Sequence, residues 1–428
     1  MFAAIKIGAI PIPVSNQFTT KEIKFIQQDS KARFLVNKNL QSDEVVVLDL
    51  LTGSSHHVRE FINDGSCFTA IQSDENDAAY CLYTSGTEGT PKAVIHAHRS
   101  IPAHDYRVKN WLGFKKGDVV LNTSALNWSY ALTGAVMDVL RHGGVAVFLA
   151  EELTAENILR AIQEQNVSVL MSVPGIYRRF VAHLKAQPDF KSKLHSCVSA
   201  GETLSSSLRT SFLDLTGINI REGLGMTEHS VYLVQSKESA VKLGSCGKPV
   251  ESECVQIQRG DGKEASVNEV GVIATHKNAK GLMLGYQDFS SENSLPKLPL
   301  KQEWFPSGDL ARRDEDGDYF FVGRQDDMIT AGGYKVSPLE VEAVLNNHAD
   351  VLESCVIGSA EENGRTFVLA VIVLKENSQT ANREESLQKY AEENLAYFKR
   401  PKKYVFSEYL PRSRNGKLLR RELKVGAS

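Results

Sequence analysis

The sequence predicts an α/β protein with a smaller α+β domain at its C-terminal end. Strand-like and helix-like segments alternate through residues 145–223, which is typical of a mostly parallel sheet covered by helices. Beyond residue 300, short extended runs are separated by turn residues instead. The chain has 428 residues, enough for two or three domains, and the change of pattern places the start of the smaller domain near Arg324.

The alternating part is predicted from apolar periodicity and capping residues. In order, we expect a buried strand at 145–149, a helix at 153–166 capped by Thr154, a strand at 167–173, a helix beginning at Pro174, a strand at 195–201, a helix at 205–217 and a strand at 218–223. Ligands of such sheets bind where loops leave the carboxyl ends of strands. We therefore expect site residues in the loops after Tyr83, Ala200 and Glu222.

The C-terminal part carries its own turn and capping signals. Asp316 and Gly317 lie between two short extended runs, which predicts a hairpin. Ser337 and Glu340 form a capping box, with Pro338 at the first helical position. The predicted domain is completed by strands at 354–358 and 366–374, a helix at 383–396 and a strand near 403–407.

The N-terminal segment 1–14 is apolar enough to resemble a signal peptide. Its charge, Lys6, lies inside the apolar stretch rather than before it, and no small-residue cleavage site follows. We predict instead a helix end that runs through Gly8 into a strand.

The composition argues against several classes of partner. The chain has 49 basic and 52 acidic residues, and its net charge of −3 argues against nucleic acid or an anionic membrane, since both favour a basic surplus. No run approaches the roughly 18 apolar residues of a membrane span. The six cysteines are scattered without a CxxC pair, which favours reduced thiols in a cytoplasmic protein over disulfides or a zinc site.

Residues 83–94, YTSGTEGTPKAV, carry the densest chemical signal. Glycines allow close approach of the backbone to phosphates, amides and hydroxyls donate hydrogen bonds, and Lys92 supplies positive charge. The segment is not the P-loop GxxxxGK[ST], because no glycine precedes the lysine and no helix start follows it. Taken alone, the segment could also be interpreted as a flexible surface loop without a ligand.

This segment resembles the phosphate-binding loop [YFW]TSGTTGxPKGV of the adenylate-forming superfamily of acyl-CoA synthetases, adenylation domains and luciferases. Glu88 replaces a threonine of that pattern and Ala93 a glycine. An anion at Glu88 should point away from bound phosphates or meet a cation. The resemblance implies that phosphates are bound by Thr84, Ser85, Gly86, Thr87, Gly89 and the catalytic Lys92.

Two further motifs recur in family order. SAGETL (199–204) resembles the turn that contacts adenine, and REGLGMTEHS (221–230) resembles the GYGxTE motif, with Leu224 in place of the frequent tyrosine. The resemblance implies that Thr227 contacts the α-phosphate and that Glu228 ligates Mg²⁺, which a carboxylate commonly does together with phosphate oxygens. The nucleotide-binding residues that these motifs imply are Gly201, Glu202, Thr203, Glu222, Gly223, Leu224 and Gly225.

The longest match runs through residues 304–342. By resemblance, Asp309 accepts hydrogen bonds from the ribose hydroxyls, and Arg324 helps to hold the ribose or a phosphate. Lys335 stands where many relatives carry an arginine that reaches the phosphate, and it keeps the charge without the bidentate fork. Gly333, after Gly332, would leave room for a pantetheine arm.

The tail PRSRNGKLLRREL (411–423) resembles P[RK]xxxGKxxRxxL. The resemblance implies that Lys417 is the catalytic lysine of adenylation. On composition alone, Lys417 could be one more solvated lysine in a basic tail. The family fold implies a large domain of stacked αβαβα layers at 1–323 and a small mobile domain at 324–428, with the hinge near Asp326.

The resemblance also implies a mechanism. A small carboxylic acid and ATP with Mg²⁺ give an acyl-adenylate and pyrophosphate, the small domain rotates, and the thiol of CoA attacks the adenylate. One alternative acceptor is the phosphopantetheine of an acyl carrier protein. Another reading, motivated by Glu88 and by the apparent absence of roughly the first 80 residues of a typical relative, is a nucleotide- or acyl-binding protein without turnover.

The predicted acyl pocket is lined by residues 121–134, by 199–201 with Ala200 at its centre, and by 222–225 together with His229. Trp128 and Tyr130 are candidate walls, although core packing is an equally good account of both. Residues 121–134 contain no Asp or Glu, so the ammonium of an α-amino acid would lack a counter-ion there. This favours an aryl acid or a short to medium aliphatic acid, and the sequence leaves the choice between them open.

Overall fold

The computed structural model describes residues 1–15, 18–38, 45–49, 55–57, 70–85, 91–186, 190–290, 294–360, 365–375, 382–412 and 418–425. The chain forms two compact units. The first consists of Met1–Pro102, Leu126–Trp128 and Met283–Pro299, and the second of Ala103–Ala125, Ser129–Leu282 and Leu300–Ser428. The predicted division between residues 323 and 324 falls inside the second unit and stays a prediction.

The α-helices are α1 (Phe2–Lys6), α2 (Thr20–Ser30), α3 (Asp105–Asn110), α4 (Ser129–Ala131), α5 (Asp138–Arg141), α6 (Ala155–Glu164), α7 (Pro174–Leu184), α8 (Ser206–Thr216), α9 (Pro338–Leu345), α10 (Arg383–Asn394) and α11 (Arg420–Val425). A π-helix, Leu132–Met137, joins α4 to α5.

The strands are β1 (Phe34–Lys38), β2 (Val45–Asp49), β3 (Ser55–His57), β4 (Ala78–Ser85), β5 (Pro91–Ala97), β6 (Val119–Asn122), β7 (Val145–Phe148), β8 (Val169–Ser172), β9 (Ser196–Ala200), β10 (Ile220–Met226), β11 (Ser230–Val234), β12 (Lys248–Pro249), β13 (Val255–Gln258), β14 (Gly271–His276), β15 (Gly285–Gln287), β16 (Trp304–Arg313), β17 (Tyr319–Arg324), β18 (Ile329–Ala331), β19 (Tyr334–Val336), β20 (Val351–Ala360), β21 (Thr366–Leu374) and β22 (Lys403–Phe406).

The main sheet of the second unit has the order β12-β11-β10-β9-β8-β6-β7. Strands β7, β6, β8, β9 and β10 pair in parallel, and β11 and β12 are antiparallel. Leu121, Leu170 and Ile220 lie on one face of this sheet, in a core shared with α6, α7 and α8. The predicted α/β class and its parallel sheet are confirmed. The predicted N-cap of α6 is also confirmed, since the Thr154 hydroxyl accepts a hydrogen bond from the Asn157 amide.

Two predicted strands differ from the structure. The segment at 145–149 was expected to be buried, but β7 is the edge strand, and Val145 is 52% exposed. At the N-terminus, α1 ends at Lys6 and no strand follows within residues 9–15. Pro11 and Pro13 lie in that stretch and lack amide donors, which prevents a regular ladder. The Pro11 carbonyl still accepts a hydrogen bond from the Cys81 amide.

The loop after Tyr83 was expected at the edge of a parallel sheet, and this is wrong. Strand β4 runs on to Ser85 and pairs antiparallel with β5, in a sheet of order β15-β5-β4 within the first unit. Only residues 86–90 connect the two strands, and so short a connection cannot cross over to a parallel partner. The two described ends of the phosphate-loop motif therefore lie on neighbouring antiparallel strands.

The C-terminal segments form the predicted α+β arrangement. Strands β20 and β21 pair antiparallel, β22 joins β21 in parallel, and α9 and α10 pack on them. The Ser337 hydroxyl accepts from the Glu340 amide, which confirms the N-cap of α9, while the Glu340 carboxylate binds Lys399 Nζ at 2.5 Å. Gly317 has a φ of +82° in the predicted hairpin between β16 and β17.

Among the described residues, no helix is long and apolar enough to cross a membrane. The described cysteines carry free thiols. Burial raises the pKa of Cys197 to about 12, so this thiol stays protonated at neutral pH.

Candidate active site

The strands β4 and β5 position both ends of the predicted phosphate loop. Thr84 on β4 lies directly opposite Lys92 on β5. Lys92 Nζ lies 5.5 Å above the ring of Tyr286, a cation–π contact within the first unit. The Tyr83 hydroxyl donates to Asp29 Oδ2 at 2.6 Å, which fixes the end of β4. The backbone of Ser85 belongs to β4, whereas Gly86, Thr87, Glu88 and Gly89 lie outside the described residues.

The predicted adenine turn follows β9, which ends at Ala200. Gly201 has a φ of +92°, a conformation that favours glycine, and Thr203 is exposed. Glu202 Oε1 accepts hydrogen bonds from Arg412 Nη1 at 2.9 Å and from the Leu418 amide at 3.2 Å. The carboxylate that was predicted to bind nucleotide therefore binds the C-terminal tail.

Arg412 and Leu418 flank residues 413–417 of the tail, and Lys417 itself lies outside the described residues. Arg412 Nη2 also donates to Glu353 Oε2 at 2.5 Å, so the guanidinium joins Glu202 to the C-terminal sheet. Both described ends of the tail segment are thus attached at Glu202.

Glu222 supports the same turn from inside the protein. Its Oε1 accepts from the Leu204 amide at 2.8 Å, and its Oε2 accepts from Arg209 Nη2. Burial raises the pKa of Glu222 to about 7, and the charge of Arg209 opposes this rise. Both side chains are at least 95% buried, at 5% and 3% exposure. The Glu222 carboxylate therefore orders the SAGETL motif.

The glycines of the next motif allow close packing of the hairpin formed by β10 and β11. A Cβ at Gly223 would lie 2.8 Å from the ring of Trp111, and a Cβ at Gly225 would lie 2.5 Å from the carbonyl oxygen of Ser230. Leu224 lies between them and packs against the cluster that contains Tyr232. These glycines keep the hairpin tight.

Thr227 and Glu228 lie at the tip of this hairpin, and both are half-buried. The His229 amide donates to the Met226 carbonyl at 3.2 Å and closes the turn. The His229 side chain is 4% exposed and stacks on Tyr232 with ring centroids 5.1 Å apart. Its Nε2 lies 3.6 Å from Glu251 Oε1. His229, which was predicted to line the acyl pocket, is thus packed behind the turn.

Asp309 and Arg324 face each other across β16 and β17. Arg324 Nη1 donates to Asp309 Oδ1 at 2.8 Å. Burial lowers the pKa of Arg324, but Asp309, Asp326 and Glu228 together outweigh burial, and the pKa is raised. The structure therefore brings Asp309 and Arg324 into the electrostatic neighbourhood of Glu228.

The hairpin of β18 and β19 holds the residues that were predicted for the thiol-transfer face. Gly332 and Gly333 form its turn with φ values of +54° and +86°. Among the described atoms, none lies within 4 Å of a Cβ built at either glycine. Lys335 Nζ donates to Thr330 Oγ1 at 2.7 Å. Asp326, the predicted hinge, is exposed in a short 3-10 turn.

The two candidate walls of the acyl pocket fall in different units. Tyr130 is 2% exposed, and its hydroxyl lies 3.3 Å from the carbonyl oxygens of both Ser172 and Val198. It thereby joins β8 to β9, as a core residue does. Trp128 is half-buried in the first unit.

Sequence reasoning missed the residues that hold these motifs in place. Arg107, Asp138 and Arg209 are all buried, and Arg412 reaches Glu202 across more than 200 residues of sequence. Arg107 and Asp138 do not belong to any of the recognised motifs, and an isolated Arg or Asp is usually a solvated surface residue. Arg412 stood inside a recognised motif, but only Lys417 was assigned a role there.

The donor set fits Mg²⁺ held chiefly by a nucleotide. Within the described parts of the chain, no group of three or more His, Cys, Asp or Glu side chains could enclose a metal ion. Glu228 supplies a single carboxylate at a turn, which suits an ion that keeps waters and phosphate oxygens as its other ligands.

Comparison with known proteins finds two family matches along the chain. Residues 1–287 match the family described as AMP-binding enzyme, and residues 340–417 match the AMP-binding enzyme C-terminal domain. The chain belongs to the AMP-binding enzyme family. The predicted acyl- and aryl-CoA synthetase branch is confirmed, and with it an AMP-forming acid–thiol ligase that uses ATP and CoA.

Similar proteins are named as CoA ligases. An uncharacterized acyl-CoA ligase of Bacillus subtilis is 29% identical over 436 residues, covering 99% of this chain and 82% of its own length. The mitochondrial acyl-coenzyme A synthetase ACSM3 of Homo sapiens is 29% identical, covering 99% of this chain and 75% of its own. The crystal structure of the anthranilate CoA ligase AuaEII with anthranoyl-AMP has a TM-score of 0.86 at 27% identity, covering 100% of this chain and 84% of that one. The AMP-binding enzyme described here thus shares both family and fold with CoA ligases.

Proposed function

We propose that this AMP-binding enzyme activates a small carboxylic acid with ATP and transfers the acyl group to CoA. The observation that carries the proposal is the attachment of Arg412 and Leu418 to Glu202. It holds both ends of the tail segment containing Lys417 at the turn predicted to bind adenine. A lysine delivered there can neutralise charge as the carboxylate attacks the α-phosphorus.

In the first half-reaction, the described residues bind and orient the nucleotide. The Asp309 carboxylate accepts from the ribose hydroxyls while Arg324 holds it in place, and Thr227 donates to the α-phosphate. The family resemblance assigns Thr84, Ser85 and Lys92 to the outgoing pyrophosphate. When bound at Glu228, Mg²⁺ would neutralise charge on the phosphates.

The second half-reaction requires the tail to leave Glu202. Rotation about Asp326 would withdraw Lys417 and bring the open face of Gly332 and Gly333 to the adenylate, where a pantetheine thiol attacks the acyl carbon and AMP leaves. The absence of described atoms around both glycines supports this use of the hairpin. CoA is the proposed acceptor because the similar proteins are named as CoA ligases.

The acid is proposed to be an aryl acid or a short to medium aliphatic acid. The lack of acidic residues in 121–134 argues against an amino acid. One similar protein is named for anthranilate and others for acyl groups, so both classes belong in the screen. A cytoplasmic location is also part of the proposal, and cell fractionation tests it against a mitochondrial one.

Pyrophosphate release measured over a panel of aryl and aliphatic acids tests the proposal. The Lys417→Ala variant should lose acid-dependent release by about two orders of magnitude or more, because an electrostatic contact made in the transition state is removed. Lys389→Ala, which changes an exposed lysine on α10, is the control and should behave as wild type. An unchanged rate in Lys417→Ala would refute the assigned role.

The acceptor and the reading without turnover are tested separately. Each acid that supports pyrophosphate release is then incubated with the enzyme, ATP and either CoA or a holo carrier protein. Thioester formation with CoA is expected. Binding of ATP without acid-dependent pyrophosphate release for any acid would favour the binding protein over the ligase.

A further inference from the structure

The buried side chain of Arg107 connects three segments of the second unit. Arg107 lies on α3 and is 1% exposed. Its Nε and Nη2 donate to Asp138 Oδ2, at 3.0 and 2.7 Å, where α5 begins. Burial raises the pKa of Asp138, but the charges and hydrogen bonds of Arg107 and His104 together outweigh burial, and the pKa is lowered. The Asp138 carboxyl is therefore ionised at neutral pH.

The rest of the guanidinium reaches the hairpin that carries Thr227 and Glu228. Arg107 Nη1 donates to Ser230 Oγ at 2.7 Å and makes a longer contact of 3.5 Å with the Val231 carbonyl. Ser230 is the first residue of β11 and comes directly after the Thr227–His229 turn. The planar fork of an arginine allows it to bind Asp138 and Ser230 at once, which an ammonium cannot do with the same geometry.

The donor and acceptor of each hydrogen bond around Ser230 can be assigned. Thr133 Oγ1 donates to the Ser129 carbonyl at 2.7 Å, which uses its one hydrogen. Thr133 Oγ1 accepts from Arg107 Nη2, and the Ser230 hydroxyl, 2.7 Å away, must donate to it as well. Thr133 lies in the π-helix, a geometry often found at functional sites. Ser230 Oγ is thus fixed by one donor and one acceptor.

Ser230 also holds a backbone conformation that serine rarely adopts. Its φ is +55°, in the left-handed region. Gly225 lies opposite the next residue, Val231, and a Cβ at Gly225 would approach the Ser230 carbonyl oxygen to 2.5 Å. Such conformations persist when surrounding contacts over-determine them, and they cluster at functional sites. Here the surrounding contacts are those that Arg107 and Thr133 make to the Ser230 side chain.

We propose that Arg107 is a positioning residue that sets the Thr227–Glu228 turn through Ser230 for binding of the magnesium nucleotide. The proposal rests on the proposed function for the role of Thr227 and Glu228. Arg107 acts through Ser230 and touches neither nucleotide nor acid.

Binding of ATP, measured by calorimetry with and without Mg²⁺ and without any acid, tests the proposal apart from turnover. In Ser230→Gly the left-handed backbone is unstrained but the hydroxyl is gone, so affinity for ATP with Mg²⁺ should fall about tenfold or more. Thr133→Val and Arg107→Lys should weaken it likewise, and Arg107→Lys keeps a positive partner for Asp138. Binding of AMP without Mg²⁺ should weaken less, because AMP keeps the α-phosphate that Thr227 contacts but lacks the ion assigned to Glu228.

The matched control is Thr216→Val. Thr216 makes the same bond four residues back, from its Oγ1 to the Phe212 carbonyl at 2.7 Å, but in α8. It should bind ATP with Mg²⁺ as wild type does. In steady state, Ser230→Gly should raise KM for ATP more than it lowers kcat.

The outcomes separate this proposal from the proposed function. Wild-type affinity for ATP with Mg²⁺ in Ser230→Gly would overturn the positioning role, even if Arg107→Lys failed to fold. Equal losses in binding of AMP and of ATP with Mg²⁺ would also overturn it. If wild type binds ATP but releases no pyrophosphate with any acid, while Ser230→Gly still weakens ATP with Mg²⁺, the proposed function fails and the positioning role stands.

Discussion

Removing the Glu202 carboxylate should slow the first half-reaction and spare the second. Glu202 Oε1 accepts from Arg412 and from the Leu418 amide, at side-chain exposures of 22% for Glu202 and 28% for Arg412. Because the pair is partly exposed, we assign about 1.5 kcal/mol to the charged hydrogen bond and about 1 kcal/mol to the amide bond. A loss of about 2.5 kcal/mol corresponds to roughly 60-fold weaker attachment of the tail.

The two half-reactions are measured separately in Glu202→Ala. Pyrophosphate release from ATP and acid should fall by up to about 60-fold. Thioester formation from a supplied acyl-adenylate and CoA should stay near the wild-type rate, because that step needs the tail detached. Glu202→Gln keeps a neutral acceptor, and its rate of pyrophosphate release should lie between those of wild type and Glu202→Ala.

The control is Glu151→Gln, which breaks an exposed ion pair with Arg160 elsewhere in the same unit. It should leave both half-reactions unchanged, since exposed pairs contribute little. If Glu202 instead contacts adenine, both half-reactions will fall together in Glu202→Ala. That result, or an unchanged rate of pyrophosphate release, would refute the tail-docking role.

Two further predictions concern stability. Burial, reinforced by the charge of Arg107, lowers the pKa of His104 from 6.5 to about 4. The unfolded chain therefore binds a proton at this site that the folded chain does not, and the free energy of unfolding should fall by about 3 kcal/mol as the pH drops from 6.5 to 4. Urea unfolding should show a shallower pH slope in His104→Gln, and equal slopes would contradict this. Gly225→Ala forces a Cβ against the Ser230 carbonyl and should cost about 1–3 kcal/mol by the same assay, whereas Gly260→Ala, with open space around it, should be neutral. Equal effects of the two glycine variants would show that the hairpin yields without strain.

The sequence predicts the order of elements well because apolar periodicity and local caps determine it. Thr154 and Ser337 cap the helices that they were expected to cap, and the parallel strands lie where the alternation put them. The position of a strand within its sheet is a tertiary property, which is why β7 at the edge was taken for a buried strand. The same limit applies to the loop after Tyr83, whose strand pairs in a different sheet.

For the candidate site, the motifs identify side chains by type but not by what they contact. Glu202 and Glu222 were both assigned to the nucleotide, whereas the structure places one on the tail and the other on Arg209 and the Leu204 amide. Those partners are distant in the sequence, and a contact of this kind leaves no local pattern. The roles of Lys417 and of residues 86–89 stay predictions, since they lie outside the described part of the chain.

The Arg107–Asp138 pair is buried and the Arg412–Glu202 pair is partly exposed, so the two pairs should respond differently to salt. The Debye length shortens from about 8 Å at 0.15 M to about 3 Å at 1 M, which screens exposed charges and leaves buried pairs nearly untouched. Arg107 and Asp138, at 1% and 0% exposure, hold the hairpin out of reach of dissolved ions. The bond between Arg412 and Glu202 is open to them. Rising ionic strength should therefore loosen the tail while the hairpin stays fixed, and in the proposed reaction cycle this would favour thioester formation over adenylation.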